Sequence, residues 1–311
     1  MAQGSTRAVV AALVANMIIA VAKFVAAAVT GSSAMLSEGI HSVADSGNQA
    51  LLLFGNRRSH RPPDATHPFG YGPEMYFWSL IVAMILFGLG GGFSIYEGIA
   101  HLGHPEVPQD PVWVYSVLGI AFVVEAYALK VALGALKSSG VQGGFLARLR
   151  ASADPRIFVP IAEDAAALLG VVVAFLGVFL ARALNLPILD GLSSILIGLL
   201  LAGVAIFLAT ETRALLVGET VGPALLERVR RVCSEEEAVA ALIRTRGIHL
   251  GPDEVLLALD VRFRPDLDGE GVARAVDRLE DALRKAEPRL ARILVEPDAD
   301  PTPSGRDAGT P

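Results

Sequence analysis

Cysteine is almost absent from this chain of 311 residues, because Cys233 is the only one. A single thiol excludes an intramolecular disulfide and offers no thiolate cluster for zinc, so we expect Cys233 to be an ordinary packed helix residue. The sequence also lacks the HExxH pattern of zinc proteases, and it places no clear nucleophile beside a general base. These absences argue against an enzyme.

Charged residues are also scarce, at 19% of the chain, and they carry no basic excess. The formal net charge is −6, and most of it lies after residue 216, where 14 Lys and Arg stand against 19 Asp and Glu. Nucleic-acid binding needs clustered positive charge, so we do not expect it here.

Apolar sequence is abundant, with 53% hydrophobic residues and a mean hydropathy of +0.52. Soluble domains average about 45–50% apolar residues even when glycine is counted. A membrane-spanning helix needs about 20 residues, and six segments meet this length, the last of them with its flanks: 9–29, 35–54, 76–100, 111–136, 157–184 and 191–208. The sequence therefore predicts a polytopic α-helical membrane protein with six transmembrane helices.

Positive residues flank these spans on one side, and the loops of the other side carry only Arg182. Such an excess marks the cytoplasmic side, so both termini are predicted to be cytoplasmic. The first apolar run is too long for a cleavable signal peptide, and no transit-like segment precedes it, which favours a bacterial plasma membrane. The positive residues on the predicted cytoplasmic side are Arg7, Arg57, Arg58, Arg61, Lys137, Arg148, Arg150, Arg156 and Arg213.

After the transmembrane domain, residues 1–216, the chain changes to the composition of a small soluble domain, residues 217–300. Ser234 to Glu237 fits a capping box that opens a helix. Strand, helix and strand patterns follow at 254–263, 268–286 and 289–296, so we expect a cytoplasmic α+β domain with helices over one sheet face. Residues 301–311 are rich in Pro, Gly, Asp and Thr and are predicted to be a disordered tail.

The second predicted span carries two ionisable residues, His41 and Asp45, at a spacing that places them on one helix face. At membrane depth such groups cost about 2.5–3.5 kcal/mol each, and they normally face a cavity, a partner or an ion. An imidazole beside a carboxylate suits a divalent cation such as zinc. A His–Asp pair that only stabilises the helix is the alternative, but a second acidic cluster in the fifth span favours a metal site.

That second cluster is Glu163 and Asp164, which lie one turn inside the fifth span. Adjacent helical residues point about 100° apart, so both reach one ion only if the helix bends, and Pro160 gives it a reason to bend. We expect Asp164 to be a ligand. Glu163 is left open, either as the fourth oxygen or as a group that binds a proton or a neighbouring helix, with a backbone carbonyl or water as the other candidate ligands.

The remaining ionisable residues of the spans are assigned to charge pairing or to snorkelling near an interface. Glu38 has an alternative role as an entry carboxylate, and Asn48 is placed to support the ligands by hydrogen bonding. In the loop after the second span, Asp64 and His67 form a possible second metal site. The residues assigned to pairing or snorkelling are Lys23, Glu38, Glu97, Glu125 and Lys130.

Four segments together resemble the cation diffusion facilitator family, and most of all its zinc transporter nine-like branch. The resemblance covers almost the whole chain. It implies a homodimer, divalent metal efflux coupled to proton entry, a ferredoxin-like C-terminal domain, and metal ligands at His41, Asp45 and Asp164. The segments are SEGIHSVADSGNQ (37–49), HPFGYG (67–72), YEGI (96–99) and EDAAALLG (163–170).

The chain departs from the better-known members of that family in three places. Pro160 stands where their fifth span usually offers a histidine, and Tyr71 stands where their loop offers a further histidine. Their C-terminal domain often carries a zinc cluster, for which this chain has one histidine, so we expect apolar and charge-based dimer contacts there instead. The possible ligands in that domain are His249, Asp260, Glu296 and Asp298.

The combined expectation is a divalent metal efflux transporter, most of all for zinc, that works as a proton antiporter by alternating access. Zinc binding requires a neutral imidazole and ionised carboxylates, so protons compete with it directly. No cofactor is expected, because the metal is the transported substrate. Two alternatives stay open: a membrane regulator that acts through its C-terminal domain beside a vestigial metal site, and an intramembrane metalloenzyme that uses zinc to activate water.

Overall fold

The computed structural model describes residues 2–103, 111–138, 144–145, 148–149 and 152–298, with side chains only from residue 16 onward. The predicted disordered tail, 301–311, lies outside the described residues. The chain divides into two compact units. The first contains Met1–Arg61 and Pro73–Leu216, and the second contains Pro62–Gly72 together with the chain from Val217.

Each predicted span is helical, and the helices are long enough to cross a bilayer. Four of them combine that length with high hydropathy: Glu74–Gly103, Val112–Lys137, Pro155–Ala183 and Ile188–Val217. The prediction of a polytopic helical membrane protein is confirmed. The helices are α1 (Ala2–Thr30), α2 (Ser33–Ser59), α3 (Glu74–Ile85), a π-helical segment (Leu86–Gly92), α4 (Phe93–Gly103), α5 (Pro111–Ser138), α6 (Pro155–Ala183) and α7 (Ile188–Val217).

The turn between α1 and α2 is built from two residues with complementary roles. Gly31 adopts φ +69°, a left-handed conformation that glycine reaches without a Cβ penalty, and so ends α1. Ser32 then caps α2, because its hydroxyl accepts a hydrogen bond from the Met35 N–H at 3.3 Å. This short connection makes α1 and α2 neighbours in the bundle.

The third and sixth spans pack through pairs of glycines spaced seven residues apart. A Cβ on Gly98 would lie 2.7 Å from the Gly191 carbonyl oxygen, and a Cβ on Gly198 would lie 2.8 Å from the Gly91 carbonyl oxygen. Such separations are too short for real Cβ atoms, so only glycine permits this approach of the two backbones. Small residues at helix contacts are the usual means of close packing in membranes.

The second unit contains an α+β fold in which α8 (Pro223–Glu235) and α9 (Gly269–Ala286) accompany three strands. The strands β1 (Val239–Gly251), β2 (Glu254–Phe263) and β3 (Leu290–Pro297) form one sheet in the order β1-β2-β3. The first pair is antiparallel and the second is parallel. The predicted strand, helix and strand at 254–263, 268–286 and 289–296 are confirmed as β2, α9 and β3.

Alternation along β2 explains why the two helices cover one face of this sheet. Every second residue is fully buried, and the apolar sides of α8 and α9 pack onto that row. Asp268 begins α9 as predicted, because its carboxylate accepts a hydrogen bond from the Gly271 N–H at 2.7 Å. The buried core residues are Val255, Leu257, Leu259 and Val261 from β2, Leu225, Val229 and Cys233 from α8, and Ala275, Leu279 and Leu283 from α9.

The predicted start of the first helix in this domain is wrong. Ser234 and Glu237 match the capping-box pattern, yet α8 begins at Pro223 and ends at Glu235. Proline suits the first position of a helix, whereas the apolar residues after Glu237 pair as β1 with β2, beginning at Val239 opposite Phe263. Tertiary pairing of the strand therefore outweighs the local capping signal.

The glycine contacts between the third and sixth spans predict a position-specific loss of stability. We expect Gly198→Ala to destabilise the protein by about 1–3 kcal/mol, because its new methyl group would meet the backbone at Gly91 and Ile95. Gly203→Ala is the matched control in the same helix, since a Cβ there meets nothing within 4 Å. Thermal melting in detergent measures both, and an equal effect of the two substitutions would contradict this packing.

The buried Cys233 provides a probe for unfolding of the second unit. Burial raises the pKa of its thiol to about 11, which lowers the thiolate fraction at neutral pH about 100-fold. We expect the native protein to resist an aromatic disulfide reagent and to react once per chain in denaturant. A Cys233→Ala, Ser234→Cys double variant moves the thiol to an exposed neighbour and should react at once. Rapid labelling of the native wild type would contradict the described packing.

Candidate metal centre

Helix α2 presents a polar face to the interior of the bundle, although it lies between apolar helices. In a membrane, polar groups have no water to bind, so each must find a partner within the protein. The partners of this face therefore identify which of its groups serve structure. Its buried polar residues are Ser33, Ser37, Glu38, His41, Ser42, Asp45, Ser46 and Asn48.

His41 and Asp45 lie next to each other on this face, as their spacing predicts. His41 is 0% exposed and Asp45 is 8% exposed, and the His41 Nδ1 atom lies 3.4 Å from the Asp45 Oδ1 atom. Both ring nitrogens of His41 and the Oδ1 atom of Asp45 lack a hydrogen-bond partner among the described residues. Buried polar atoms are rarely left this way, so the two side chains are prepared for a ligand.

Three residues before His41, Glu38 forms a buried ion pair with α1. The Lys23 Nζ atom donates to Glu38 Oε2 at 2.9 Å and to the Ser42 hydroxyl at 2.8 Å, and both charged side chains are fully buried. The other carboxylate oxygen of Glu38 packs against the backbone of Gly170 in α6, where a Cβ would have no room. The prediction of charge pairing is confirmed for Lys23 and Glu38.

The two acidic residues of α6 differ in their surroundings. Glu163 is 3% exposed and accepts a hydrogen bond at 2.7 Å from the Asn48 side-chain amide of α2. Asp164 is only half-buried, and no hydrogen bond to its side chain occurs among the described residues. Asn48 therefore holds Glu163 against α2, which matches the expectation that Glu163 binds a neighbouring helix, and Asp164 keeps both oxygens for another ligand.

These acidic groups surround the His41–Asp45 pair without closing on it. The charges of Glu163, Glu125 and Asp164 all lie near enough to act on Asp45. In the described part of the chain, however, no three His, Cys, Asp or Glu side chains are close enough together to hold a metal ion. Binding of an ion therefore requires the surrounding carboxylates to move toward His41 and Asp45.

The structure also shows a buried residue that the sequence did not single out, Asp190 at the start of α7. Its carboxylate accepts hydrogen bonds from the Ser32 hydroxyl and from the Ser33 backbone N–H, both at 2.7 Å. Asp190 thus caps α2 from another helix, while the His101 Nε2 atom lies 3.7 Å from its Oδ2 atom. Its only sequence signal is an acidic residue in the first turn of a helix.

The loop between α2 and α3 is organised by Asp64. Its Oδ1 atom accepts from the Thr66 N–H at 2.9 Å, the Thr66 hydroxyl at 2.7 Å and the His67 N–H at 2.8 Å, and its Oδ2 atom accepts from the Tyr71 hydroxyl at 2.7 Å. These bonds, that of Tyr71 first, hold the pKa of the Asp64 carboxyl well below its usual range. The Tyr71 ring lies 4.2 Å from that of His67, measured between centroids.

The same loop packs on the end of the three-stranded sheet within the second unit. Gly72 touches the backbone of Leu250 and Gly251 so closely that a Cβ on Gly72 would overlap the Leu250 carbonyl oxygen. The close approach of Gly72 and Gly251 therefore depends on glycine at these two positions. The sequence suggested only tight turns for the loop glycines, and nothing local in it could show which strand the loop contacts.

Among the candidate ligands of the C-terminal domain, Asp260 lies opposite Glu296 in the sheet, and His249 lies apart from both. His249 lies opposite Val255 in the sheet, whereas Asp260 lies five residues further along β2. Asp260 instead faces Arg246 at 3.3 Å and Arg244 at 3.6 Å. Burial, followed by the charge of Arg289, lowers the pKa of His249. The expectation that this domain holds no zinc centre stays a prediction.

Comparison with known proteins identifies relatives of the whole membrane domain. The sequence profile of the cation efflux transmembrane domain matches residues 9–217. The chain is 34% identical over 275 residues to the proton-coupled zinc antiporter SLC30A9, mitochondrial, of Xenopus laevis. The matched residues cover 88% of this chain and 48% of that protein. It is 34% identical over 271 residues to metal tolerance protein C4 of Arabidopsis thaliana, covering 86% and 58%.

A bacterial relative is similar over nearly its full length. The manganese efflux system protein MneP of Bacillus subtilis is 28% identical over 286 residues, covering 88% of this chain and 90% of that protein. The chain spans about half the length of the SLC30A9 relative. Because the profile and these relatives cover most of the chain, the protein belongs to the cation diffusion facilitator family of cation efflux transporters, in the branch that resembles zinc transporter nine.

Proposed function

We propose that this protein exports a divalent metal ion, zinc above all, in exchange for protons by alternating access. The ion is bound by His41 and Asp45 of α2 and by Asp164 of α6. Glu163 supports the site by its hydrogen bond to Asn48, which joins α6 to α2. The family supports metal efflux, and the SLC30A9 relatives are named proton-coupled zinc antiporters. We also propose that the protein is a homodimer and that both of its termini are cytoplasmic.

One observation carries the assignment of the binding site: both nitrogens of the fully buried His41 lack a partner among the described residues, beside a carboxylate at 3.4 Å. A histidine that served only to stabilise α2 would use at least one nitrogen in a hydrogen bond. Neutral imidazole binds zinc through either nitrogen, with carboxylate oxygens as the usual companions. The geometry therefore favours a transport site over a helix-stabilising pair.

Proton coupling is supported by the chemistry of these ligands. Zinc needs imidazole without its second proton and carboxylates without theirs, so each binding event releases whatever protons the site holds. The site has no thiolate, because Cys233 lies in the second unit. A small set of nitrogen and oxygen ligands suits an ion that must be released again on the other side of the membrane.

Metal flux in proteoliposomes tests the proposal. We expect His41→Ala, Asp45→Asn and Asp164→Asn each to reduce zinc flux at least about tenfold, because each removes a ligand. In wild-type vesicles with an imposed pH gradient, zinc transport should collapse the gradient. His60→Ala is the matched histidine control, since this exposed residue ends α2 and lies outside the site.

The outcomes separate the parts of this proposal. Zinc flux without proton movement would remove the proton coupling and keep the transporter. Wild-type flux in the ligand variants would show that the site lies elsewhere. If the wild type moved no metal and a cellular phenotype depended only on the C-terminal domain, the regulator would be the better account. Hydrolysis of a peptide or lipid without metal flux would favour the metalloenzyme.

We further propose that the loop between α2 and α3 keeps its shape through hydrogen bonds to Asp64. The alternative is that Asp64 and His67 bind a second metal ion, and the following experiment distinguishes the two. Tyr71→Phe removes the hydroxyl donor but keeps the ring against His67. We expect faster amide hydrogen exchange in residues 64–72 with β2 unchanged. Because the lowered pKa of Asp64 rises toward its usual range in this variant, loop order should be lost at higher pH as the solution is acidified.

The control for this exchange experiment is Tyr127→Phe, which alters an exposed tyrosine of α5. Unchanged loop exchange in Tyr71→Phe would contradict the hydrogen-bonded loop. Protection of residues 64–72 by added zinc in the wild type, lost in His67→Ala, would instead establish the second metal site.

A further inference from the structure

Helix α5 contains one buried acidic residue that pairing and snorkelling do not explain. Only 22% of its most apolar stretch is buried, against 39–44% for the other three long apolar spans, so most of α5 faces outward from the bundle. Glu125 is nevertheless 7% exposed. It continues the buried stripe of this helix, which consists of Val114, Val117, Leu118 and Ala121. The carboxylate therefore points into the bundle rather than toward an interface.

The surroundings of Glu125 are charged on two sides. Lys23 and Glu38 act on it from α1 and α2, and Glu125 acts in turn on Asp45 of α2 and Asp164 of α6. Its carboxylate is thus near enough to interact both with the Lys23–Glu38 ion pair and with the candidate metal ligands Asp45 and Asp164. This position is reached because α5 packs against both α1 and α6.

No hydrogen bond or ion pair engages Glu125 within the residues that the structure describes. The nearest cation, Lys23, already donates to Glu38 and to Ser42. A buried carboxylate with no partner is unfavourable as an anion, and it becomes stable when a proton or a metal ion neutralises it. Glu125 thus forms no ion pair in the described part of the chain, because Lys23 pairs with Glu38.

We propose that Glu125 is the fourth ligand of the transported metal ion, supplied from α5. The inference rests on the proposed transport function. Glu125 supplies the ligand that α6 lacks, because Pro160 has no side-chain ligand atom and the Glu163 side chain is held by Asn48 at 2.7 Å. The ion is then bound by one imidazole nitrogen of His41 and by carboxylate oxygens of Asp45, Asp164 and Glu125.

This ligand set determines the class of metal that the site accepts. One nitrogen and three carboxylates form a harder site than one with two histidines, since oxygen ligands suit manganese and iron as well as zinc. The site therefore accepts zinc together with manganese or cobalt and does not reject the harder ions. A histidine in place of Glu125 would shift this preference toward zinc, because imidazole favours it.

X-ray absorption on the full-length protein loaded with zinc counts the imidazole ligands directly. We expect one imidazole in the wild type and two in Glu125→His. Equilibrium binding should show a loss of zinc affinity of at least about tenfold in Glu125→Gln, and Glu125→His should raise the ratio of zinc to manganese affinity. Glu97→Gln is the control, as it alters a partly exposed membrane carboxylate of α4 and should leave all three readouts unchanged.

Two outcomes would overturn this assignment. A single imidazole in zinc-loaded Glu125→His would show that position 125 does not reach the ion, whatever the effect on flux. Wild-type affinities in a folded Glu125→Gln would do the same. If Glu125→Gln fails to fold, the imidazole count of Glu125→His still decides. A wild type that binds and transports no metal would instead end the proposed function, and that result is distinguishable because it appears before any variant is compared.

Discussion

The structure of the membrane unit depends on the burial of a polar helix face among apolar helices. Three other helices contribute partners to this face: α1 gives Lys23 to Glu38, α6 gives Glu163 to Asn48, and α7 gives Asp190 to Ser33. Without water, every such bond ties α2 to a particular neighbour. Against this background His41 differs from Glu38, Asp45 and Asn48, because each of those side chains has one unpartnered oxygen, whereas both nitrogens of His41 lack a hydrogen-bond partner among the described residues.

The same constraint explains how charge is distributed around the site. Lys23 pairs with Glu38 and also donates to Ser42, so it provides a fixed positive charge beside the site. The carboxylates of the site come from three different helices, α2, α5 and α6. In the proposed transport cycle, an ion bound among them would draw these helices together, and alternating access needs such a change in helix contacts.

Features that depend on short-range periodicity could be predicted from the sequence, whereas features that depend on contacts between distant residues could not. His41 and Asp45 were found because a spacing of four residues places side chains on one helix face. The surroundings of Glu125 were not predictable, because no local pattern shows that Lys23 pairs with Glu38, a residue 87 positions earlier in the chain than Glu125. The helix predicted from Ser234 failed for a related reason, since the partner that turns Val239 into a strand residue is Phe263.

The loop between α2 and α3 adds a mechanical consequence to this arrangement. Residues 62–72 belong to the second unit, although the chain enters them from α2 and leaves them into α3. Contact between Gly72 and the backbone of Gly251 leaves the loop little freedom against the sheet. The chain therefore leaves the first unit after Arg61 and returns to it at Pro73, so the loop is ordered by its own hydrogen bonds and by the sheet rather than by the helices that it connects.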